Sequence, residues 1–310
     1  MNKSTLRQSF LLLLTATIWG VAFVAQSVGM DYVGPFTFNG VRCIIGGLVL
    51  LPYIAVSERQ TKKKEIVIDT KKARKDLVIG GLLCGFILFL ASNLQQIGLQ
   101  YTTVGKAGFV TAMYIVIVPL IGIFLKKKAG LRVWLAVLIA IIGLYLLCMT
   151  GGFSLQFGDI LVLLCAIIFS FHIIVVDHYA PIVNGVKMSC IQFFTCGILS
   201  CILMFIFETP KITQIIAAWV SILYAGVLSC GVAYTLQIVG QKGMNPTVAS
   251  LIMSLESVIS VLAGWLLLGE KLSVRELLGC VLMFTAIVLV QLPKGKFAFS
   301  IVKWKLVKKN

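Results

Sequence analysis

Apolar residues run along this chain in ten long stretches, at 9–28, 35–56, 77–100, 103–125, 132–149, 158–178, 186–207, 214–240, 246–268 and 273–292. Each is roughly 20 residues, the length a helix needs to cross the hydrocarbon core of a bilayer. Short polar or turn-forming segments part them, and Gln100-Tyr101-Thr102-Thr103 must make a very tight turn. Six of the seven prolines (35, 52, 181, 210, 246 and 293) fall near predicted helix ends. Pro119 alone interrupts a span, where it removes a backbone hydrogen bond, so a kink is expected in the fourth helix.

Polar residues inside the spans fall at helical spacing. Asn93, Gln96 and Gln100 share one face of the third helix, and Tyr234, Gln237 and Gln241 one face of the eighth. Thr247, Ser250, Ser254 and Ser257 line the ninth, with Glu256 beside them near mid-membrane. Arg42 lies about seven residues into the second span, where a charge costs roughly 2.5–3.5 kcal/mol on insertion scales and so faces something wet or oppositely charged.

Composition agrees with the pattern. Hydrophobic residues make up 59% and charged residues 12%, where a soluble globule would carry roughly a quarter charged. The chain reads as an all-α, multi-pass integral protein of the cell membrane. Its formal net charge of +16 would suit nucleic acid, but the basic residues lie between spans and leave no folded basic face. With the N-terminus inside, 22 of the 27 lysines and arginines fall on inner segments, so both termini are expected in the cytoplasm, against anionic lipid headgroups. The basic start and apolar middle of MNKSTLRQSFLLLLTATIWG resemble a signal peptide, but the apolar run continues to about Val28 and an uncleaved first helix fits better. The tail FAFSIVKWKLVKKN either lies on the inner headgroup layer or is solvated.

The nine cysteines form no Cys-x-x-Cys pair and read as small packing residues. His172 and His178, six apart, sit on different helix faces and share no metal; neither metal nor cofactor is expected. Gly81-x-x-x-Gly85 permits close helix contact within the chain, and a monomer is favoured.

The chain also resembles itself. Residues 14–49 lie on 164–199 with a shift of 150, which sets Arg42 on Gln192; LQQIGLQYTT lies on YTLQIVGQKG with a shift of 141, which sets Gln96 on Gln237. Five spans per repeat is an odd number, so the halves 1–150 and 151–292 enter the membrane in opposite orientation, followed by a tail, 293–310. Arg42 then belongs to the outer half of the bilayer and Gln192 to the inner half.

Four motifs carry a family resemblance: Trp19-Gly20-x-x-Phe23, the stretch Pro35 to Arg42, Gly158-Asp159, and Leu268-Gly269-Glu270. In their order and spacing, from about 10 to 292, the chain resembles the ten-helix EamA-like family of the drug/metabolite transporter superfamily. The resemblance implies two inverted five-helix repeats around a central cavity, and transport of small metabolites, often export of amino acids. Phe169-Ser170 departs from the Trp-Gly pattern in the second repeat. Ser257 stands where the family often has proline after the glutamate, which puts a break in the ninth helix in question.

Candidate substrate-binding or pathway residues are Arg42, Asn93, Gln96, Gln192, Tyr234, Gln237 and Glu256. The alternative for the polar stripes is interhelical hydrogen bonding that only holds the bundle. Glu256 binds substrate, couples protons, or partners Arg42 or a serine. Lys106 snorkels to the surface or joins Arg42 in an outer vestibule, where two cations against one anion would favour substrates with a carboxylate. His172 reads as packed or at the cavity edge. Nucleotide drive is not expected, since Gln100 and Ala107 break any phosphate-loop pattern ending at Gly105-Lys106. The chain has no His-Glu-x-x-His and no aspartate-rich motif, so an integral-membrane enzyme is not expected; a passive channel is the alternative to a secondary transporter, though no acidic ring or carbonyl filter is visible.

Overall fold

The structure, a computed structural model, describes residues 3–62, 71–102, 104–126, 130–148, 156–268 and 273–291. Every regular element among them is a helix. In the first half these are α1 (Lys3–Gly29), α2 (Pro35–Lys62), α3 (Lys71–Gly98), α4 (Val104–Thr111), α5 (Tyr114–Phe124) and α6 (Leu131–Cys148). In the second they are α7 (Phe157–Tyr179), α8 (Gly185–Phe207), α9 (Ile212–Ala217), α10 (Trp219–Leu223), a π-helical segment (Tyr224–Tyr234), α11 (Thr235–Gln241), α12 (Pro246–Met253), α13 (Glu256–Leu268) and α14 (Val274–Gln291). The tail 293–310, Gly269-Glu270 and the side chain of Lys106 lie outside the described residues.

Among the described residues, eight helical stretches are long and apolar enough to cross a bilayer, and Leu131–Leu146 is a shorter apolar helix. The surface is apolar, and polar side chains are buried among hydrophobic ones: Phe124, Leu131, Phe205, Phe207, Leu266 and Val274 face outward, while Asn39, Arg42, Gln96, His172, Gln192, Ser200, Gln237 and Glu256 are buried. A water-soluble globule would be poorly served by this arrangement. In hydrocarbon it is the one that keeps backbone polar groups paired within helices and polar side chains away from lipid. The protein is a multi-pass membrane protein.

Helix starts follow from local chemistry. Pro246 sits in the first turn of α12, where its missing N–H costs nothing, and Asn245 Oδ1 accepts from Thr247 N at 2.9 Å. Asn184 Oδ1 does the same for α8 through Lys187 N at 3.1 Å. Asp159 and Gln156 form a capping box on α7. For α2 the cap comes from another helix: the Glu208 carboxylate accepts from Phe36 N at 2.8 Å, Thr37 N at 2.9 Å and Thr37 Oγ1 at 2.5 Å.

Besides the break at Ala218 between α9 and α10, two of the described spans are interrupted near their middle. The fourth breaks at Ala112-Met113, between α4 and α5, where Met113 N turns to Val110 O at 3.2 Å; Pro119, the expected kink, lies buried inside α5. The ninth breaks at Ser254-Leu255 although no proline stands at the break. Serine hydroxyls supply the reason: Ser250, Ser254 and Ser260 donate to the carbonyls of Thr247, Leu251 and Ser257 at 2.9, 2.8 and 2.9 Å, an alternative to the helical ladder that bends helices. The polar face expected there is thus turned partly onto its own backbone.

Contacts between the halves come in pairs. A Cβ on Gly47 would meet the Phe194 ring at 3.0 Å, and one on Gly197 would meet Ile44 at 2.8 Å; a shift of 150 turns the first contact into the second. A Cβ on Gly85 would meet Thr195 at 2.6 Å and Gln192 O at 2.7 Å, while one on Gly226 would meet Ile45 at 2.8 Å and Arg42 O at 3.0 Å. Shifts of 141 and 150 exchange these two sets. Glu208 holds Thr37 at one crossing of α2 and α8; Lys187 Nζ holds Glu58 Oε1 at 2.7 Å at the other, and a shift of 150 again relates them. The interruptions correspond as well: a shift of 142 carries Thr111 to Met253 and Tyr114 to Glu256.

Candidate functional site

At the centre of the bundle lies a cavity of about 500 Å3, counting its open mouth. Its walls come from both halves. Trp19 and Phe169, Phe23 and Ile173, Thr111 and Met253, and Tyr114 and Glu256 all line it, each pair related by a shift of 150 or 142. Trp19 and Tyr234 pack ring to ring, centroids 4.5 Å apart and tilted 58°, and Tyr234 also meets His172 and Phe193 edge-on. Trp19 and Tyr234 therefore give the cavity an aromatic side, backed by His172 and Phe193.

Arg42 and Glu256 are the only charged side chains on the described lining. Arg42 is 4% exposed, its guanidinium carbon 5.5 Å from the centre of the Phe38 ring, and its Nε makes no hydrogen bond within the protein. Glu256, at the first position of α13, is 5% exposed and accepts a hydrogen bond from Tyr114 Oη at 2.9 Å through Oε1. Trp19 Nε1, Gln26 Oε1 and Gln237 Oε1, on the same lining, also make no hydrogen bond within the protein. A buried polar atom left unpaired costs about 1–3 kcal/mol, so such atoms are rare and concentrate where another molecule completes them. Here two donors, on Trp19 and Arg42, and two acceptors, on Gln26 and Gln237, face one space with Glu256.

Of the candidates read from the sequence, Arg42, Tyr234, Gln237 and Glu256 line the cavity. The other three sit behind it. Asn93 is engaged in a network across three helices, accepting from Asn39 Nδ2 at 3.0 Å and donating to Phe89 O at 2.8 Å and Ser200 Oγ at 3.0 Å. Gln96 Nε2 reaches Gln26 O at 3.4 Å, and Gln192 Oε1 meets His172 Nε2 at 3.2 Å. Glu256 partners neither Arg42 nor a serine; its partner is Tyr114. His172 is fully buried in this packing. Cys43 Sγ lies 3.5 Å from Cys196 Sγ, beside Arg42 in sequence and across the α2–α8 crossing. Among the described residues no group of three or more His, Cys, Asp or Glu is arranged to hold a metal ion.

Sequence reasoning missed Tyr114, Gln26, Gln95, Thr111 and Ser229 on the lining. For Tyr114 a signal was present: laying the fourth span on the ninth from Ala107 on Ala249 sets Tyr114 on Glu256 and Gly122 on Gly264.

An all-helical, multi-pass protein with an apolar coat and a charged, aromatic-walled central cavity has the form of a membrane transporter. The family comparison fits that class: the model of the EamA-like transporter family matches residues 6–149 and 156–292, and the chain belongs to that family. Relatives similar to it include an uncharacterized transporter of Archaeoglobus fulgidus, 32% identical over 91% of this chain and 84% of the relative. The uncharacterized transporter YoaV of Bacillus subtilis is 24% identical over 86% of this chain and 90% of its own length. The uncharacterized inner membrane transporter YedA of Escherichia coli is 22% identical over 91% and 89%. A solved crystal structure with 17% identity superposes at a TM-score of 0.72, covering 91% of this chain and 96% of that one, and shares the fold.

Proposed function

We propose that the protein is a secondary transporter that moves small metabolites such as amino acids out of the cell by alternating access. It spans the cell membrane ten times, as a first five-helix repeat, 1–150, an inverted second, 151–292, and a basic tail, 293–310, with both termini cytoplasmic. The paired contacts under shifts of 150, 141 and 142 support the repeat, because a twofold relation turns each contact into its mate. Contacts at the span ends support the alternation of the spans, since they group the segment ends into two sides. Gln8 donates to Lys242 O, Glu58 pairs with Lys187 and Arg132 Nη2 donates to Val290 O, each joining two segments that the lysine and arginine count assigns to the inner side. Thr102 Oγ1 donates to Asp159 Oδ1 at 2.7 Å and Glu208 caps α2, each joining two outer segments.

The single observation that carries the function is a buried, unpaired arginine and one carboxylate on the wall of a cavity built from both halves. Arg42 with Trp19 Nε1 offers donors to a substrate carboxylate; Glu256, Gln26 and Gln237 offer acceptors to its ammonium group. A site at the interface of inverted repeats is where rocking of one repeat against the other alternates access. The test is flux of labelled amino acids, sugars and nucleosides in proteoliposomes. Saturable counterflow is expected for an amino acid, lost in Arg42→Ala; absence of counterflow for every compound would overturn the proposal. A proton gradient that leaves flux unchanged removes any coupling role for Glu256.

A further inference from the structure

Arg42 and Glu256 carry the two opposite charges of one cavity lining, yet no ion pair joins them. Opposite charges attract strongly in a low-dielectric site, yet here the carboxylate has a different partner. Glu256 Oε1 is bound by the Tyr114 hydroxyl at 2.9 Å, and both residues are buried, 5% and 3% exposed. Tyr114 is the first residue of α5 and Glu256 the first of α13, each directly after the interruption of its span, and a shift of 142 superposes one on the other. The hydrogen bond thus joins corresponding points of the two broken helices, while the guanidinium rests over Phe38.

We propose that Tyr114 is a positioning residue: its O–H holds the Glu256 carboxylate at the joint of the two interrupted helices, so that Arg42 stays unpaired and open to the anionic group of a substrate. The last step rests on the transporter function proposed above; the positional step does not. Without the hydroxyl, the carboxylate is free to turn across the cavity and close on Arg42, and the protein occupies its own anion site.

Tyr114→Phe removes the hydroxyl and keeps the ring. Thermal unfolding of the purified full chain is measured for Arg42→Gln, Glu256→Gln and both together, first with Tyr114 in place and then in the Tyr114→Phe background. With tyrosine the two Tm shifts add. With Tyr114→Phe they depart from additivity by about 3 °C or more, the mark of a newly formed pair. A tyrosine that acted only by packing would change all four proteins alike and leave their coupling untouched. Tyr114→Met also lacks the hydroxyl and serves as a second background should the first variant not fold. Additivity in both backgrounds, or coupling of the same size with tyrosine present, overturns the proposal. Neither outcome depends on flux: failure of every protein to transport, wild type included, counts against the transporter and leaves the thermal comparison to judge the tyrosine.

Discussion

Arg42→Met is expected to make the protein more stable and to abolish transport. Methionine is close to arginine in length, unbranched and apolar, so it fills the same path without a charge. The guanidinium it removes is 4% exposed and forms no ion pair, and its Nε has no hydrogen-bond partner. An arginine at the centre of a membrane helix costs about 2.5–3.5 kcal/mol on insertion scales. Against that stands its contact with the Phe38 ring at 5.5 Å, a cation–π interaction of about 0.5–2 kcal/mol. The balance favours methionine by about 0.5–3 kcal/mol. At about 2–4 °C per kcal/mol for a chain of this order, Tm should rise by about 1–12 °C. The assay is intrinsic-fluorescence unfolding of wild type and variant in one detergent, with flux measured on the same preparations in proteoliposomes. A stability gain with loss of flux marks a residue kept for binding at the expense of the fold. A fall in Tm of several degrees would refute this reasoning, since it would mean that the arginine holds the α2–α8 crossing together.

Other outcomes follow from the packing. Gly85→Val and Gly226→Val should each destabilise by about 1–3 kcal/mol, because the added atoms meet equivalent backbone and side-chain atoms of α8 and α2, whereas Gly130→Ala, with nothing within 4 Å, should leave Tm unchanged. Glu208→Gln should lower stability by about 0.5–2 kcal/mol through the α2 cap, measured as Tm, while Glu58→Gln should cost less than about 1 kcal/mol because its pair with Lys187 is half-exposed. Peroxide should join Cys43 to Cys196, two thiols giving a disulfide as the peroxide is reduced to water; mass spectrometry of proteolytic fragments should find the linked peptide, and Cys196→Ser should prevent it.

How much of this was legible beforehand depends on how strongly the membrane penalises each residue. Hydrocarbon demands about 20 apolar residues per span, so the helices could be placed from the pattern alone. It also penalises charge heavily, so Arg42 and Glu256 stood out, and both reach the cavity. Amides and hydroxyls carry a smaller penalty with two outlets, a cavity or a neighbouring helix, and spacing does not tell these apart. Asn93 and Gln237 sit in similar stripes, yet Asn93 is consumed by Asn39 and Ser200 while Gln237 lines the cavity. Tyr114 could be found only by laying the fourth span on the ninth, because its partner lies 142 residues away. The interruption at Ser254-Leu255 was hidden because serine hydroxyls, rather than proline, compete with the helical bonds. The π segment Tyr224–Tyr234 has no local signal; it forms where Gly226 comes against the backbone of Arg42.

The most direct test of alternating access at this cavity is labelling from each side of the membrane. In a background with all nine cysteines replaced, Gln26→Cys and Gln237→Cys each place one thiol on the lining. A membrane-impermeant thiol reagent, applied to right-side-out and inside-out vesicles in turn, should modify both positions from either side, and a transported compound should slow the reaction. Modification from one side only, at both positions and at all temperatures tried, would contradict a cavity that opens alternately to the two faces of the membrane.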